Sequence, residues 1–155
     1  YKRQIDSGAR HEAVRGLQVI WLAFLGSIFF YVLILLLLGQ QSDAVEDGTL
    51  NVLRPAFWIL ATILSIASFV WRLQVADLKR PLRASSSTGF TRLRVACLVT
   101  WSFCEAIALL GVVLGAVTYR FADYAPLVSL GVVLLFVHRP EAWPIDRFLL
   151  EDFRR

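Results

Sequence analysis

Residues 95–138 read VACLVTWSFCEAIALLGVVLGAVTYRFADYAPLVSLGVVLLFVH, and this stretch decides the fold. It contains two apolar runs, 95–119 and 124–138, with only residues 120–123 between them. A membrane-spanning helix needs about 20 residues to cross a hydrocarbon core of about 30 Å, and the first run meets that requirement. Because so short a connection cannot reach a distant helix, we predict an antiparallel helical hairpin in which Asp123 caps the second helix.

Two further apolar stretches precede the hairpin. Residues 17–38 carry no charge and are predicted to span the membrane. Residues 56–75 form another predicted span if Arg72 extends its charged group to the interface. The polar segment 76–92 then leads to the hairpin as a cytoplasmic loop. The tail 139–155 has its apolar residues on one side, which predicts an interfacial amphipathic helix.

The composition is typical of a membrane protein rather than a soluble one. The chain has 155 residues, 57% of them apolar, and a mean hydropathy of +0.63. Soluble domains are nearer about 45–50% apolar. We therefore predict one all-α domain, residues 1–155, folded as an integral membrane four-helix bundle.

The basic residues predict how the bundle is oriented. Of the 16 Lys and Arg residues, only Arg54 and Arg120 fall in the two predicted outer loops. Basic residues collect at cytoplasmic helix ends, so both termini are predicted to be cytoplasmic in a multi-pass protein of the bacterial inner membrane. The same rule accounts for the net charge of +4 without a nucleic-acid partner. Residues expected at lipid headgroups or a partner's surface are Arg72, Lys79, Arg80, Arg83, Arg92, Arg94 and Arg139.

Small residues predict where the helices approach each other. In lipid, helices associate mainly through close packing at small side chains. The predicted packing positions are Cys97, Cys104, Ala108, Gly111 and Gly115 on the third helix and Ala61, Ser65 and Ser68 on the second. The two cysteines are seven residues apart on one helix and cannot form a disulfide. The Gly111 and Gly115 seam is also compatible with a homo-oligomer, but a seam inside the bundle is the preferred interpretation.

Glu105 is the one acidic residue inside the hairpin's first span. It lies roughly 15 Å from the start of that predicted span at about 1.5 Å per residue, which suggests a site near the middle of the bilayer. An ionised carboxylate there is unfavourable, so the side chain is predicted to be protonated, paired or in a wet cavity. One hypothesis is an ion carrier, with Trp101 and Ser102 lining its access. The other is a neutral acid that joins helices through Ser102, Ser65, Ser68 or a backbone carbonyl.

The sequence around Glu105 resembles a known helix. Residues 101–115, WSFCEAIALLGVVLG, are similar to the ion-carrying helix of rotary ATP synthase c subunits, where a Glu-Ala pair precedes a Gly-Leu-Val segment. In those proteins the other helix of a two-helix hairpin is glycine-rich, whereas 17–38 and 56–71 are not. The rotary function is therefore not carried over.

The chain more broadly resembles a group of uncharacterised four-helix bacterial membrane proteins. The similarity covers residues 92–140 and rests on Arg94, Glu105, Ala106, Gly111, Arg139 and Pro140. It implies a class of protein but no activity.

The sequence contains few other residues that would suit a metal, a cofactor or a catalytic reaction. The only histidines, His11 and His138, are interpreted as ordinary residues near the membrane interface. Together with the cysteines they do not share a depth that would suit a metal, and no cofactor is predicted. No nucleophile elbow or phosphate-binding loop occurs, so an enzyme is not predicted.

These patterns favour a small accessory or scaffold subunit of a membrane protein complex, in contact with the bilayer and with other membrane subunits. The alternative is a proton- or cation-coupled transporter or channel subunit that uses Glu105.

Overall fold

The structure is a computed structural model that describes residues 2–38, 47–76, 89–143 and 145. Over these residues the fold is all-α. The four helices are α1 (Lys2–Leu38), α2 (Asp47–Ala76), α3 (Gly89–Thr118) and α4 (Phe121–Val137), followed by a 3₁₀ turn (Pro140–Ala142).

Three of the helices are long and apolar enough to cross a membrane. Their apolar parts are Val14–Leu37, Leu50–Val75 and Thr91–Thr118. Helix α4 is shorter, with 17 residues. The prediction of a multi-pass helical membrane bundle is therefore confirmed at the level of fold, with three helices able to span and a shorter fourth.

Helices α1 and α2 are both longer than their predicted membrane spans. Helix α1 is continuous from Lys2, so its first turns extend beyond the predicted span of residues 17–38. Helix α2 begins at Asp47 rather than at residue 56 and contains Pro55 in its interior. The sequence pattern placed a boundary at Arg54 and Pro55, but the Arg54 guanidinium binds Asp123, which keeps this turn of α2 on the bundle.

The hairpin of α3 and α4 is confirmed, and its connection is only Tyr119 and Arg120. Tyr119 has a φ of 52°, a left-handed conformation that reverses the chain. The prediction that Asp123 caps α4 is wrong. Arg120 is the N-cap and makes no side-chain cap hydrogen bond, while Asp123 lies in the first turn and accepts a hydrogen bond from Arg54 at 2.8 Å.

Helices α3 and α4 pack with their backbones close together. A Cβ atom added at Gly131 would lie 2.7 Å from the Cys104 carbonyl oxygen and 2.9 Å from the Ala108 nitrogen. One added at Gly111 would lie 2.9 Å from the backbone nitrogen of Val128. Only glycine fits these positions without moving the backbone, so the hairpin is the most closely packed part of the bundle.

Helices α1 and α2 pack against the hairpin rather than against each other. In each of them only 11% of the apolar span is buried, compared with 44% in α3. Helix α1 runs parallel to α3, because Ser27 meets Glu105 and Leu35 packs at Gly115. We call the two ends of the bundle the His138 end, where α4 finishes, and the Tyr119 end, where the hairpin turns.

The start of the predicted amphipathic tail is part of the core. Trp143 and Ile145 are buried, with 4% and 3% of their surface exposed, in the same cluster as Leu17 and Leu93. They cover the first turns of α3, which extend beyond the end of α4. The prediction of a helix that lies on the membrane surface is therefore wrong for the part of the tail that contains Trp143 and Ile145. Residues 146–155 of the tail and 77–88 of the loop lie outside the described residues.

Candidate functional site

Glu105 is half-buried on the side of α3 that faces α1. Its Oε1 atom lies 2.5 Å from Ser27 Oγ, and the same hydroxyl oxygen lies 2.8 Å from the backbone oxygen of Phe24. The site is thus a hydrogen-bonded contact between two helices, and Ser27 on α1 is the partner rather than Ser102, Ser65 or Ser68.

The Ser27 hydroxyl has two acceptors within hydrogen-bond distance, Glu105 Oε1 and the Phe24 carbonyl. Because a serine hydroxyl carries one hydrogen, it donates to one of them at a time. The bond to Glu105 supplies a polar partner to the carboxyl group of α3 within an apolar span.

Glu105 lies near the middle of the apolar part of α3, which runs from Thr91 to Thr118. It is one turn, roughly 6 Å at about 1.5 Å per residue, from Trp101, which reaches the end of α4 by donating a hydrogen bond to the His138 carbonyl.

Helix α2 makes a polar contact with the hairpin at each end of their interface. Arg54 binds Asp123 at one end, and Arg72 binds the Val137 carbonyl at the other. Arg54 and Arg72 are separated by roughly 27 Å along α2, close to the thickness of a hydrocarbon core of about 30 Å.

The two residues predicted to line access to Glu105 lie on different sides of α3. Trp101 is fully buried, with its ring against Phe24 at a centroid distance of 6.0 Å. Ser102 is exposed on the outer surface of the helix. They do not form a common lining around the carboxyl group.

A small cavity lies between α1 and α3 near the Tyr119 end. Its volume is about 130 Å³, and its walls are mostly apolar. The residues that line it are Tyr31, Ile34, Leu35, Val112, Ala116 and Tyr119.

The residues predicted to pack the helices together lie on α3 and on α2. On α3, Cys97, Cys104, Ala108, Gly111 and Gly115 are all buried. On α2, Ala61 and Ser68 are buried and Ser65 is half-buried. Ser65 donates to the Ala61 carbonyl at 2.7 Å and Ser68 donates to the Ser65 carbonyl at 2.7 Å.

His138 is the centre of a second polar cluster, where α2 meets the end of α4 and the C-terminal turn. The sequence did not predict its partners Ser68 and Arg72. His138 is 0% exposed and packs on the Phe69 ring at 4.8 Å. Its backbone oxygen accepts hydrogen bonds from the indole nitrogens of Trp101 at 2.9 Å and Trp143 at 3.3 Å.

The contacts of the His138 ring fix its tautomer. Arg72 Nη1 lies 3.1 Å from Nδ1, and an arginine can only donate, so Nδ1 carries no proton. Nε2 lies 3.3 Å from Ser68 Oγ, whose own proton goes to the Ser65 carbonyl. Nε2 is therefore the donor to Ser68. Burial lowers the pKa of His138, and the positive charge of Arg72 lowers it further, to about 4.

Arg72 binds the C-terminal turn to the end of α2. Its Nη2 donates to the Ala142 carbonyl at 2.6 Å and its Nη1 to the Val137 carbonyl at 3.3 Å. The guanidinium also lies over the Trp143 ring, 5.4 Å from the centroid. This residue, predicted to face lipid headgroups, is thus held by contacts within the chain.

The other residues predicted for headgroup or partner contact differ in placement. Arg94 and Arg139 are exposed, and Arg92 is half-buried. Arg139 lies 3.5 Å from Glu141. Lys79, Arg80 and Arg83 lie outside the described residues.

No group of three or more His, Cys, Asp or Glu residues able to hold a metal occurs in the part of the chain that the structure describes. Cys97 and Cys104 are buried free thiols.

Sequence reasoning missed the cluster at His138 because its partners are far away in the chain. The sequence nevertheless contained one indication of this cluster. Ser68 and Arg72 are four residues apart on one face of α2, and Pro140 follows His138 and turns the chain. In an up-and-down bundle α2 and α4 run in the same direction, which brings these polar groups to the same end.

Comparison of the chain with protein families, with curated proteins and with solved structures gave no match. The resemblances of residues 92–140 and 101–115 to known membrane proteins therefore stay predictions.

Proposed function

We propose that the protein is a small accessory or scaffold subunit of a protein complex in the bacterial cytoplasmic membrane, with both termini in the cytoplasm. The observation that carries this proposal is the hydrogen bond between Ser27 and Glu105. It gives the acidic residue of α3 a structural role within the bundle, as a link between helices.

Other polar groups within the span support the same role. Ser65, Ser68 and Thr100 each donate to a backbone carbonyl, and the His138 ring is enclosed by Ser68 and Arg72. The apolar surface of α1 and α2 is instead turned outward. In the proposed role, this surface contacts lipid and the helices of partner subunits.

The experiment is affinity purification from native membranes in a mild detergent, followed by mass spectrometry of the proteins retained. We expect a defined set of partners in fixed ratio with wild type, and the same set with Glu105→Gln, because the amide oxygen can accept from Ser27 as the carboxyl oxygen does. A protein that purifies alone or only with copies of itself would contradict the proposal.

The second candidate is a proton- or cation-coupled transporter or channel subunit. It is favoured by the incomplete burial of Glu105, which lies three residues from the exposed Ser102 on α3. This candidate predicts that Glu105→Gln abolishes proton flux in reconstituted vesicles while the protein stays folded. A flux equal to that of wild type would eliminate it.

A further inference from the structure

The C-terminal turn is attached to the bundle through contacts that converge on one neutral imidazole. Trp101 and Trp143 both bind the His138 carbonyl, and Arg72 binds both the ring and the turn. Removing this arrangement would detach Trp143 and Ile145 from the core while leaving the glycine contacts of α3 and α4 in place.

The arrangement depends on an unprotonated Nδ1. Nδ1 accepts from Arg72 at 3.1 Å, so a proton added there would remove the acceptor and place two cations in contact. Arg72 cannot relieve the conflict by losing its own proton.

We propose that His138 and Arg72 form a proton-sensitive latch, in which protonation of His138 breaks the contact with Arg72 and releases the turn Pro140–Ala142 and Trp143 from the His138 end of the bundle.

The charged and titratable groups around the ring are compatible with this behaviour. From α2 the ring meets the cation Arg72, and from α3 the nearby thiol of Cys97 is buried and uncharged. On the turn itself, Glu141 is exposed, lies beside Arg139 and accepts a hydrogen bond from Gln18 of α1 at 3.1 Å. None of these contacts supplies a carboxylate to the His138 ring that would stabilise its charged form.

The direction of the pH effect follows from the contact between Arg72 and Nδ1. In the attached state Nδ1 accepts from Arg72 and His138 is neutral, whereas a ring freed from this contact takes up a proton near its ordinary pKa of 6.5. The attached state therefore has its full stability above that value, and loses stability as the pH falls below it.

Nuclear magnetic resonance of the full chain in detergent micelles tests the latch. Histidine labelled with ¹⁵N reports the protonation of His138, with His11→Ala used to assign the two ring signals. The indole N–H signals of Trp101 and Trp143 report the attachment of the turn, and that of Trp21, which binds the Leu135 carbonyl, reports the integrity of the bundle.

We expect the Trp101 and Trp143 signals to shift together with the protonation of His138, while the Trp21 signal is unchanged. In Arg72→Gln the Trp143 signal should already have its released position at neutral pH, because the contacts of Arg72 with the His138 ring and with the Ala142 carbonyl are gone. In His138→Asn the two signals should no longer change over this range.

Three results would overturn the latch. The Trp143 signal could stay constant while His138 takes up its proton, the same transition could persist in His138→Asn, or all indole signals could change together as the whole bundle unfolds. If His138→Asn fails to fold, Arg72→Gln still decides the question, because a Trp143 signal that changes with pH there as it does in wild type would overturn the latch.

Discussion

The α3 and α4 hairpin and the two flanking helices are held in different ways. The hairpin is joined by backbone contact at Gly111 and Gly131, where no side chain fits. Helices α1 and α2 bury a much smaller share of their apolar spans and reach the hairpin through individual polar contacts. These contacts are Trp21 with Leu135, Ser27 with Glu105, Arg54 with Asp123, and Arg72 with the C-terminal turn.

The difference shows how a membrane protein of this size can be organised. In lipid the hydrophobic effect contributes little to helix association, so close packing and hydrogen bonds decide it. Close packing forms the centre of this bundle. The outer helices bury less of their apolar spans, and they are held by apolar contacts of residues such as Leu17, Ile28 and Ala61 together with individual hydrogen bonds. The contrast between the two regions can be tested by substitution.

The largest effect is expected at the hairpin. In Gly131→Val the new side chain would meet the backbone of α3, and forcing the helices apart should cost about 3 kcal/mol. Unfolding by a denaturing detergent, followed by circular dichroism, measures the loss.

The matched control for this change is Gly26→Val on α1. A Cβ atom at Gly26 would have nothing within 4 Å, so that variant should unfold close to wild type. Equal losses in the two variants would mean that the hairpin is not the more closely packed region.

A smaller effect is expected where α1 meets α4. The Trp21 indole nitrogen donates to the Leu135 carbonyl at 2.9 Å, and Trp21→Phe removes this bond while keeping an aromatic ring near Phe136. The expected loss is about 1 kcal/mol in the same unfolding assay. Trp58→Phe is the control, because Trp58 is 43% exposed on α2, and a loss as large there would refute the assignment.

The smallest effect is expected at the ion pair of α2. Arg54 and Asp123 are 2.8 Å apart, but their side chains keep 32% and 14% of their surface exposed. Solvent screening then limits the loss in Arg54→Gln to below about 1 kcal/mol, and salt should reduce it further. Arg139→Gln, at a more exposed pair 3.5 Å from Glu141, should show no measurable loss. A larger loss in Arg139→Gln than in Arg54→Gln would contradict this ranking of the two ion pairs.

The sequence predicted the features that depend on neighbouring residues. The all-α fold and the α3 and α4 hairpin followed from uncharged runs and from a connection too short to reach elsewhere. The start of α2 was predicted too late because the pattern could not reveal that Arg54 has an acidic partner on α4. Asp123 was assigned to a helix cap for the same reason.

The sequence could not predict pairings between distant segments. Glu105 was recognised as a residue that needs a partner, but the partner is Ser27, at a position fixed by how α1 packs. His138 was expected near the membrane interface, and its burial requires α2 and the C-terminal turn together. Which polar groups meet is decided by helix packing, and a single sequence does not specify it.

The most direct test of the role given to Glu105 is a double-mutant cycle with Ser27→Ala and Glu105→Ala, with Glu105→Gln measured beside it, using unfolding in detergent. If the carboxyl group joins α1 to α3, each alanine variant loses about 1 kcal/mol from this bond, the double variant loses it only once, and Glu105→Gln unfolds close to wild type. Fully additive losses, or a Glu105→Gln variant as unstable as Glu105→Ala, would contradict the structural role of Glu105.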